Sequence, residues 1–329
     1  MITSNTTYQE VLTLPEFSAF PWFILANCNL PDNNWSLKEM QDHFYDWMAE
    51  SIAYGLNRLL ELIHQGIPVV QDIYTAEEKA VSSDKERTKL FYFPAKANAP
   101  YVIICPGGAY NALCNLKEGF PVAARFNELG YNAFVLNYRL NPMENRGKEA
   151  LMPKPMEDVA AALRTIAAHQ REFGVDPEKY ALAGFSSGGH LAGEWGTLNV
   201  GAPIYDLPRP KALFLGYAAV DPSIYPLFQG LDILRTSMFG QGYTKSEMEK
   251  YNVNSHIDPQ YPPTYIWHCL DDEIIPYKTA RLMLQTLKKE KVPCQLREVT
   301  HGGHSFGLGD GTEAQGWVEE AVRFWKEHS

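Results

Sequence analysis

The stretch that most constrains this chain is Gly184-Phe185-Ser186-Ser187-Gly188. It follows an apolar run and precedes a helical pattern, so its G-x-S-x-G spacing stands where a strand turns sharply into a helix. Such a turn brings the two backbones so close that a Cβ at either glycine would clash, while strained dihedrals at the serine expose its Oγ. The sequence therefore predicts that Ser186 is a nucleophile at the carboxyl end of a strand.

Composition limits the classes of partner. Of the 329 residues, 45% are hydrophobic and 21% are charged, which is typical of a folded globular protein. The net charge is -10, and the sequence shows no clustered basic surface that could bind nucleic acid or an anionic membrane. We therefore expect a small-molecule substrate and no nucleic-acid or membrane partner, and a homo-oligomer is compatible with the sequence.

The N-terminus and the cysteines indicate the cellular compartment. Residues 1–6 lack the basic segment and apolar run of a signal peptide, and no stretch is long and apolar enough to span a membrane. The five scattered cysteines contain no C-x-x-C pair and favour neither a disulfide framework nor a zinc site. They are Cys28, Cys105, Cys114, Cys269 and Cys294. We predict a cytoplasmic protein with reduced, mostly buried cysteines and no metal.

A polar run over residues 75–88 separates two kinds of pattern. Before it, Ser36 and Glu39 form a capping box, and apolar residues recur at helical spacing over residues 40–63 until Gly66 ends the run. The aromatic members of this stripe are more typical of a hydrophobic core than of a ligand platform. We predict a helical N-terminal extension over residues 1–85 and a catalytic domain over residues 86–329.

After residue 88, short apolar runs alternate with helical patterns, which is typical of a mainly parallel sheet. The predicted strands cover residues 89–93, 101–105, 132–138, 180–184, 212–217, 264–269 and 294–299. The predicted helices cover residues 117–129, 155–173, 188–198, 276–290 and 312–327. The predicted fold class is α/β with a doubly wound sheet, in which ligands bind outside the carboxyl ends of the strands.

An acidic loop follows the next-to-last predicted strand. A serine hydroxyl is a weak nucleophile near neutral pH, so Ser186 needs an imidazole to accept its proton and a carboxylate to orient that imidazole. The loop contains Asp271, Asp272 and Glu273. Reasoning from the residues alone does not show which of these neighbours orients the imidazole. The two that do not act would cap the next helix or face solvent. Asp221, after an earlier strand, is a fallback for the same role.

Two histidines follow the last predicted strand. His304 lies between the flexible Gly302-Gly303 and Phe306-Gly307, whereas His301 is nearer the end of the strand, so we favour His304 as the base. No carboxylate or third ligand accompanies the two histidines at a spacing that would hold a metal ion. The resulting chain order is serine, acid, histidine, which differs from the two other known triad orders.

The loop after the second predicted strand reads Pro106-Gly107-Gly108-Ala109-Tyr110. Glycines let a backbone approach a substrate closely, and amides of such a loop stabilise an oxyanion together with the amide that follows the nucleophile. We predict the amides of Gly108, Ala109 and Ser187 as the donors. A phosphate-binding loop is excluded, because the lysine and the Ser/Thr of that motif are absent from their required places.

Together these motifs resemble the bacterial acetyl esterase and xylan-deacetylase-like branch of the α/β-hydrolase superfamily. The matching pieces are residues 106–110 (PGGAY), 137–140 (NYRL), 184–192 (GFSSGGHLA), 272–276 (DEIIP) and 302–306 (GGHSF). The chain departs from the family pattern at three positions. Ala109 replaces the third glycine of the loop, Pro106 replaces the histidine of the H-G-G-G form, and Ser187 stands where alanine is commoner. None of these departures removes a catalytic side chain.

The resemblance implies an α/β-hydrolase fold with a triad of Ser186, Asp272 and His304, since Asp272 stands four residues before Pro276. It also implies a serine hydrolase, without a cofactor, that removes short acyl groups, acetyl above all, from small acetylated carbohydrates or similar alcohols. Alternatives on the same triad are a feruloyl esterase, an arylformamidase and an aminopeptidase. A catalytically silent fold used for binding is a further alternative, although all three triad residues are present.

Residues 221–261 form the predicted cap, with an irregular, aromatic-rich pattern. Its large apolar members would either wall an acyl pocket or pack the cap against the body of the protein. They are Tyr225, Phe228, Met238, Phe239 and Tyr243. From this segment and the glycine-rich loop, we predict Tyr110, Tyr225 and Phe239 as substrate-binding residues.

Overall fold

An eight-stranded sheet forms the centre of the protein in the computed structural model, which describes residues 1–27, 30, 32–141, 147–225, 227 and 232–329. Its strands are β1 (Val70–Gln71), β2 (Lys89–Phe93), β3 (Tyr101–Cys105), β4 (Asn132–Asn137), β5 (Tyr180–Phe185), β6 (Ala212–Gly216), β7 (Thr264–Cys269) and β8 (Cys294–Val299). They lie side by side in the order β1-β2-β4-β3-β5-β6-β7-β8. The predicted doubly wound sheet is confirmed.

The strand order creates a crevice near the middle of the sheet. Strands β3 to β8 are parallel, whereas β2 is antiparallel to both of its neighbours. From β3 the chain adds β4 on one side and β5 to β8 on the other, which makes the β3/β5 pair a topological switch point. Because Cys105 pairs with Gly184, the loops after β3 and β5 begin next to each other.

The helices flank this sheet. They are α1 (Tyr8–Leu12), α2 (Pro21–Leu25), α3 (Leu37–His43), α4 (Ala49–His64), α5 (Ala76–Val81), α6 (Phe120–Glu128), α7 (Lys154–Ala168), α8 (Gln170–Phe173), α9 (Ser186–Trp195), α10 (Ile233–Phe239), α11 (Lys245–Lys250), α12 (Lys278–Lys289) and α13 (Trp317–His328). The helix predicted over residues 312–327 begins only at Trp317, because Gly316 has a φ of 85° and lies in the left-handed region. The short strand β1 was not predicted, since two residues carry no periodicity.

Two hydrophobic cores cover the two faces of the sheet. In β3, Val102 and Ile104 face the core that contains α4, α6 and α13. Tyr101, Ile103 and Cys105 face the core that contains α7, α9 and α12. Because both faces are buried, the central strands read as continuous apolar runs, which is why the sequence predicts them so closely.

The N-terminal helices pack into the first of these cores. Leu56 of α4 and Leu37 of α3 belong to the same cluster as Val102 of the sheet. Helix α4 comes closest to α6 at Gly55, where an added Cβ would lie 2.5 Å from the backbone nitrogen of Pro121. The first 85 residues therefore complete the core of the sheet, and the domain boundary at residue 85 stays a prediction.

The helical run predicted over residues 40–63 is two helices, because residues 44–48 leave the helical path between α3 and α4. Two tertiary contacts hold this break. The Nζ of Lys117 donates to Asp46 at 2.5 Å, and the ring of Tyr45 lies 5.7 Å from that of Phe306. Periodicity reports local spacing and carries no information about such long-range contacts.

None of the helices in the described ranges is long and apolar enough to cross a membrane.

Cys105 and Cys269 are buried, and burial raises the pKa of each thiol to about 12. Both thiols are therefore protonated near neutral pH. Cys114 and Cys294 are only partly buried, and Cys28 lies outside the described residues.

We expect Gly55→Ala to lower the free energy of unfolding by about 1–3 kcal/mol, the range typical of overpacking. The added methyl group would meet the backbone of Phe120 and Pro121, which cannot swing aside as the end of a side chain can. Helix propensity alone predicts the opposite sign, because alanine is favoured over glycine within a helix by about 1 kcal/mol. Denaturant titration of the purified protein measures the difference.

Glu61→Ala on the same helix is the matched control. Glu61 is exposed and pairs only with Arg58 one turn earlier, so its loss should leave the free energy of unfolding nearly unchanged. Equal stability of Gly55→Ala and the unmutated protein would contradict the tight contact between α4 and α6.

Candidate active site

The turn from β5 into α9 holds Ser186 in a strained conformation, with a φ of 50°. A Cβ at Gly184 would lie 2.3 Å from the carbonyl oxygen of Gly188. A Cβ at Gly188 would lie 2.0 Å from the carbonyl oxygen of Cys105. Both glycines of the G-x-S-x-G motif are therefore sterically required, and the turn carries Ser186 to the crevice between β3 and β5.

Ser186, His304 and Asp272 form a continuous chain of hydrogen bonds. The Oγ of Ser186 lies 3.0 Å from the Nε2 of His304, and the Nδ1 of His304 lies 2.7 Å from the Oδ2 of Asp272. A carboxylate can only accept, so Nδ1 carries the proton and Nε2 faces the serine hydroxyl as an acceptor. This geometry is suited to transfer of a proton from the serine to the histidine.

Asp272 is held by donors from several directions. Its Oδ1 accepts from the amides of Ile274 at 2.9 Å and Ile275 at 2.8 Å, while the Nε2 of His268 lies 3.1 Å from its Oδ2. Burial alone would raise the pKa of Asp272, but hydrogen bonds from His268 and His304 outweigh burial and lower the pKa to about 2. Asp272 is therefore a carboxylate at any pH near neutrality.

The neighbouring acids and histidine have other surroundings. Asp271 accepts from the amides of Gly302 and Gly303 at 2.8 to 3.2 Å. Partial burial would raise its pKa, but these amides outweigh burial and lower the pKa. His301 is largely exposed and lies 3.5 Å from Asp271. In the described part of the chain no group of three or more potential ligands is arranged to hold a metal ion.

Two further polar residues near the turn from β5 into α9 have hydrogen-bond partners outside the triad. The Oδ1 of Asp221 accepts from the amide of Ser223 at 2.9 Å, so the carboxylate caps a short turn. His190 is fully buried between the hydroxyl of Tyr110 and the carbonyl of Tyr251, each at 2.8 Å. Burial lowers the pKa of His190 to about 4, so its ring is neutral near pH 7. Neither residue bonds to the triad.

The glycine-rich loop after β3 packs directly against the nucleophile. A Cβ at Gly107 would lie 2.8 Å from the Cβ of Ser186. Gly108 has a φ of 137°, and a Cβ there would lie 2.1 Å from the carbonyl oxygen of Ala112. Only glycine fits at these two positions, which explains the sequence of the loop.

The predicted oxyanion donors are the amides of Gly108, Ala109 and Ser187. Those of Gly108 and Ala109 donate to no acceptor among the described residues. The amide of Ser187 belongs to the first turn of α9, whose N–H groups lack intrahelical acceptors. Ala109 has a φ of 53°, a conformation that an alanine adopts only when its surroundings impose it. These observations are compatible with the role of the three amides as oxyanion donors, which stays a prediction.

A cavity of about 310 Å³ opens beside Ser186, with Glu273 at its rim. Its apolar walls come from the glycine-rich loop, the segment over residues 221–261 and the loop after β7. The apolar lining residues are Ala109, Tyr225, Leu227, Ile233, Leu234, Ile274 and Ile275. Tyr225 therefore lines the cavity beside Ser186, and its role in substrate binding stays a prediction.

The other predicted substrate-binding side chains lie elsewhere. The side chain of Tyr110 is fully buried beneath the loop, with its hydroxyl on His190. Phe239 packs in the second core against the ring of Tyr251, at 5.7 Å. Both contacts are typical of core residues. Phe228, also named as part of the cap, lies outside the described residues.

A second cavity, of about 460 Å³, adjoins the first on the side of His304. Glu273 and Ile274 line both cavities, so the two meet at the triad. Tyr45 forms one wall of the second cavity and is 67% exposed. Asp271 lines it as well, so this cavity carries two acidic side chains, Asp271 and Glu273.

Sequence reasoning missed three residues around the triad: Glu118, His268 and Tyr45. His268 interrupts an otherwise apolar strand, and that polar residue was the available signal. Glu118 falls within a helical pattern, where a glutamate is expected on the surface, and Tyr45 falls within the apolar stripe of the N-terminal segment. No local pattern distinguishes these two from surface and core residues.

The BD-FAE family model matches residues 91–204 of the chain. Endo-1,4-beta-xylanase B of Butyrivibrio fibrisolvens is 27% identical over 222 residues, which is 66% of this chain and 34% of that protein. The acetylxylan esterase of Xylanibacter ruminicola is 25% identical over 231 residues, which is 70% of this chain and 45% of that protein. The chain therefore spans less than half the length of these two curated relatives.

Solved structures show the same fold. An acetyl ester-xyloside bifunctional hydrolase from Caldicellulosiruptor lactoaceticus superposes with a TM-score of 0.66 at 24% identity, over 78% of this chain and 95% of that one. With the doubly wound sheet, this likeness shows that the chain has the α/β-hydrolase fold. Its curated relatives include an acetylxylan esterase and several other esterases.

Proposed function

We propose that this protein is a serine carboxylic-ester hydrolase that works through Ser186, His304 and Asp272. The observation that carries the proposal is the hydrogen-bond chain from the serine Oγ through both ring nitrogens of His304 to a buried carboxylate. Names of relatives, among them an acetylxylan esterase, support the same reaction class.

In the first step of the proposed reaction, the Oγ of Ser186 attacks the ester carbonyl carbon as its proton passes to the Nε2 of His304. The carbonyl π electrons move onto the oxygen, which accepts hydrogen bonds from the amides of Gly108, Ala109 and Ser187. Collapse of this intermediate breaks the bond to the alkoxide, which takes the proton from His304. The products of the step are the alcohol and an acyl-enzyme.

In the second step, a water molecule attacks the acyl-enzyme while His304 accepts its proton. The same amides stabilise the second tetrahedral intermediate, and its collapse returns the proton to the Oγ of Ser186 and releases the carboxylic acid. Asp272, ionised throughout, stabilises the imidazolium that forms in both steps. No cofactor is needed for this chemistry.

The two cavities support a division of the substrate at its ester bond. The apolar cavity beside Ser186 and the amide of Ala109 suits a short, apolar acyl group, and the names of the relatives favour acetyl. Since His304 protonates the leaving oxygen, the alcohol lies in the second cavity. There Asp271 and Glu273 can accept hydrogen bonds from hydroxyl groups, and Tyr45 offers a flat surface to a ring. We therefore propose a carbohydrate or similar polyhydroxy alcohol.

An ester is favoured over a peptide by the lining of the first cavity. An aminopeptidase must hold a substrate ammonium beside the acyl carbon, and that requires buried acceptors near Ser186. The walls of this cavity are apolar apart from Glu273 at the rim. The acidic groups concentrate on the side of the leaving group instead.

We expect Ser186→Ala to lower kcat/KM for p-nitrophenyl acetate by about 10⁴-fold or more, because the acyl-enzyme can no longer form. A fluorophosphonate probe should label the unmutated protein at Ser186 and leave the variant unlabelled, as mass spectrometry of the labelled peptide would show. Hydrolysis by the variant at a rate near that of the unmutated protein would refute the proposed nucleophile.

We expect Asp272→Asn to lower kcat by about 10⁴-fold, since an amide neither fixes the correct tautomer of His304 nor stabilises its cation. Because the pKa of Asp272 is lowered to about 2, the native carboxylate is charged everywhere above that pH. The deficit should therefore persist from about pH 5 to about pH 8. Asp221→Asn is the matched control, and a larger loss there than at Asp272 would transfer the role to Asp221.

We expect Tyr45→Ala to lower kcat/KM for an acetylated xyloside by about 10-fold and to leave kcat/KM for ethyl acetate nearly unchanged. The two esters share the acyl group and differ only in the alcohol, so their ratio isolates the second cavity. An equal loss on both esters, or no loss on either, would be evidence against an alcohol site at Tyr45.

A further inference from the structure

A buried carboxylate lies beneath the active site, outside the triad. Glu118 is fully buried in a single π-helical turn, Asn115–Gly119, that leads into α6. An isolated buried carboxylate is costly, so its partners must compensate for the lost hydration. The lysine beside it in sequence, Lys117, is occupied by Asp46 at 2.5 Å. The groups that hydrogen-bond to Glu118 are neutral donors.

These donors come from two different loops and one strand end. The Oε2 of Glu118 accepts from the amide of Gly107 at 2.6 Å. Its Oε1 accepts from the hydroxyl of Tyr217 at 2.9 Å and from that of Ser305 at 3.0 Å. The Tyr217 hydroxyl in turn accepts from the amide of Gly307 at 3.1 Å. One carboxylate thus connects the glycine-rich loop to the loop after β8 that carries His304, Ser305 and Gly307, here called the histidine loop.

The residues that bond to Glu118 adjoin the residues of the proposed site. Gly107 immediately precedes Gly108 and Ala109 in the glycine-rich loop and touches Ser186. Ser305 immediately follows His304, and the ring of Tyr217 lies 4.7 Å from that of His304. Glu118 itself bonds to no member of the triad. Its position therefore sets the relative placement of the oxyanion donors and the base.

The backbone packing reinforces this arrangement. Gly307 has a φ of 59°, and a Cβ there would lie 2.0 Å from the carbonyl oxygen of Lys117. The histidine loop therefore rests directly on the chain segment that carries Glu118. Tyr217, at the end of β6, has a φ of 36°, a strained conformation for a tyrosine that its hydroxyl contacts help to hold.

We propose that Glu118 is a positioning residue, whose carboxylate holds the oxyanion loop and the histidine loop in register for acyl transfer. This inference rests on the proposed function. Catalysis needs donors and base aligned to a fraction of an ångström, and a displacement of about 1 Å can cost about 100-fold in rate. A carboxyl group that accepts hydrogen bonds from both loops supplies that alignment, because each bond fixes the distance between its loop and the same side chain.

The test compares Glu118→Gln and Tyr217→Phe with the unmutated protein. Glutamine keeps the shape of the side chain but places an NH₂ group against donors, and phenylalanine removes the hydroxyl that joins Glu118 to Gly307. Rates on p-nitrophenyl acetate are expressed per active site, titrated with a fluorophosphonate over a long incubation. This normalisation removes any difference in the amount of folded protein.

We expect each variant to lower kcat per titrated site by about 10- to 100-fold, with KM changed less than about threefold. A trifluoromethyl ketone, whose adduct with Ser186 carries an oxyanion, should bind more weakly by a similar factor. A purely structural role would lower the titrated fraction and the melting temperature without altering the rate per site.

Glu194→Gln is the matched control. Glu194 is also a fully buried carboxyl group, in α9, and burial raises its pKa well above the usual range. It contacts His190 at 3.5 Å and no member of the triad, so its rate per site should stay within about threefold of the unmutated protein.

Two outcomes separate this inference from the proposed function. Rates per site within about threefold of the unmutated protein in both Glu118→Gln and Tyr217→Phe would overturn the positioning role alone. Absence of Ser186-dependent hydrolysis in the unmutated protein would overturn the proposed function and the positioning role with it.

Discussion

The contact between α9 and the end of β3 is the constraint on which the site depends. Gly188 lies so close to the carbonyl oxygens of Cys105 and Pro106 that no side chain fits between them. This approach brings the first turn of α9, the positive end of the helix dipole, against the glycine-rich loop. The contact between these two backbones therefore places Ser186 beside the loop that carries Gly108 and Ala109.

Buried charge organises the rest of the site. Asp272 and Glu118 are both carboxylates removed from water, and each is stabilised by donors from more than one segment. A buried carboxylate without donors costs several kcal/mol, so moving the donors away from either carboxyl group would destabilise the folded protein. The need to keep these hydrogen bonds thus fixes where the histidine loop lies relative to the serine and to the loop after β3.

Much of the fold was predictable because its determinants are local. The seven longer strands follow the apolar runs to within about one residue, since both faces of the sheet are buried. The break at residues 44–48 and the late start of α13 were not predictable in the same way. The first depends on contacts with Lys117 and Phe306 from distant parts of the chain, and the second on the backbone conformation of Gly316.

The sequence by itself determined the α/β class, the strand order along the chain and the residue types of the triad, because motif spacing and turn sterics encode them locally. The residues alone left Asp271, Asp272 and Glu273 open, and the family resemblance pointed to Asp272. The tertiary structure shows that Asp272 meets His304, because neighbours on one loop differ only in direction. It also brought Glu118 beneath the site and Tyr45 to its rim. Those placements depend on packing between segments far apart in the chain, about which local patterns carry no information.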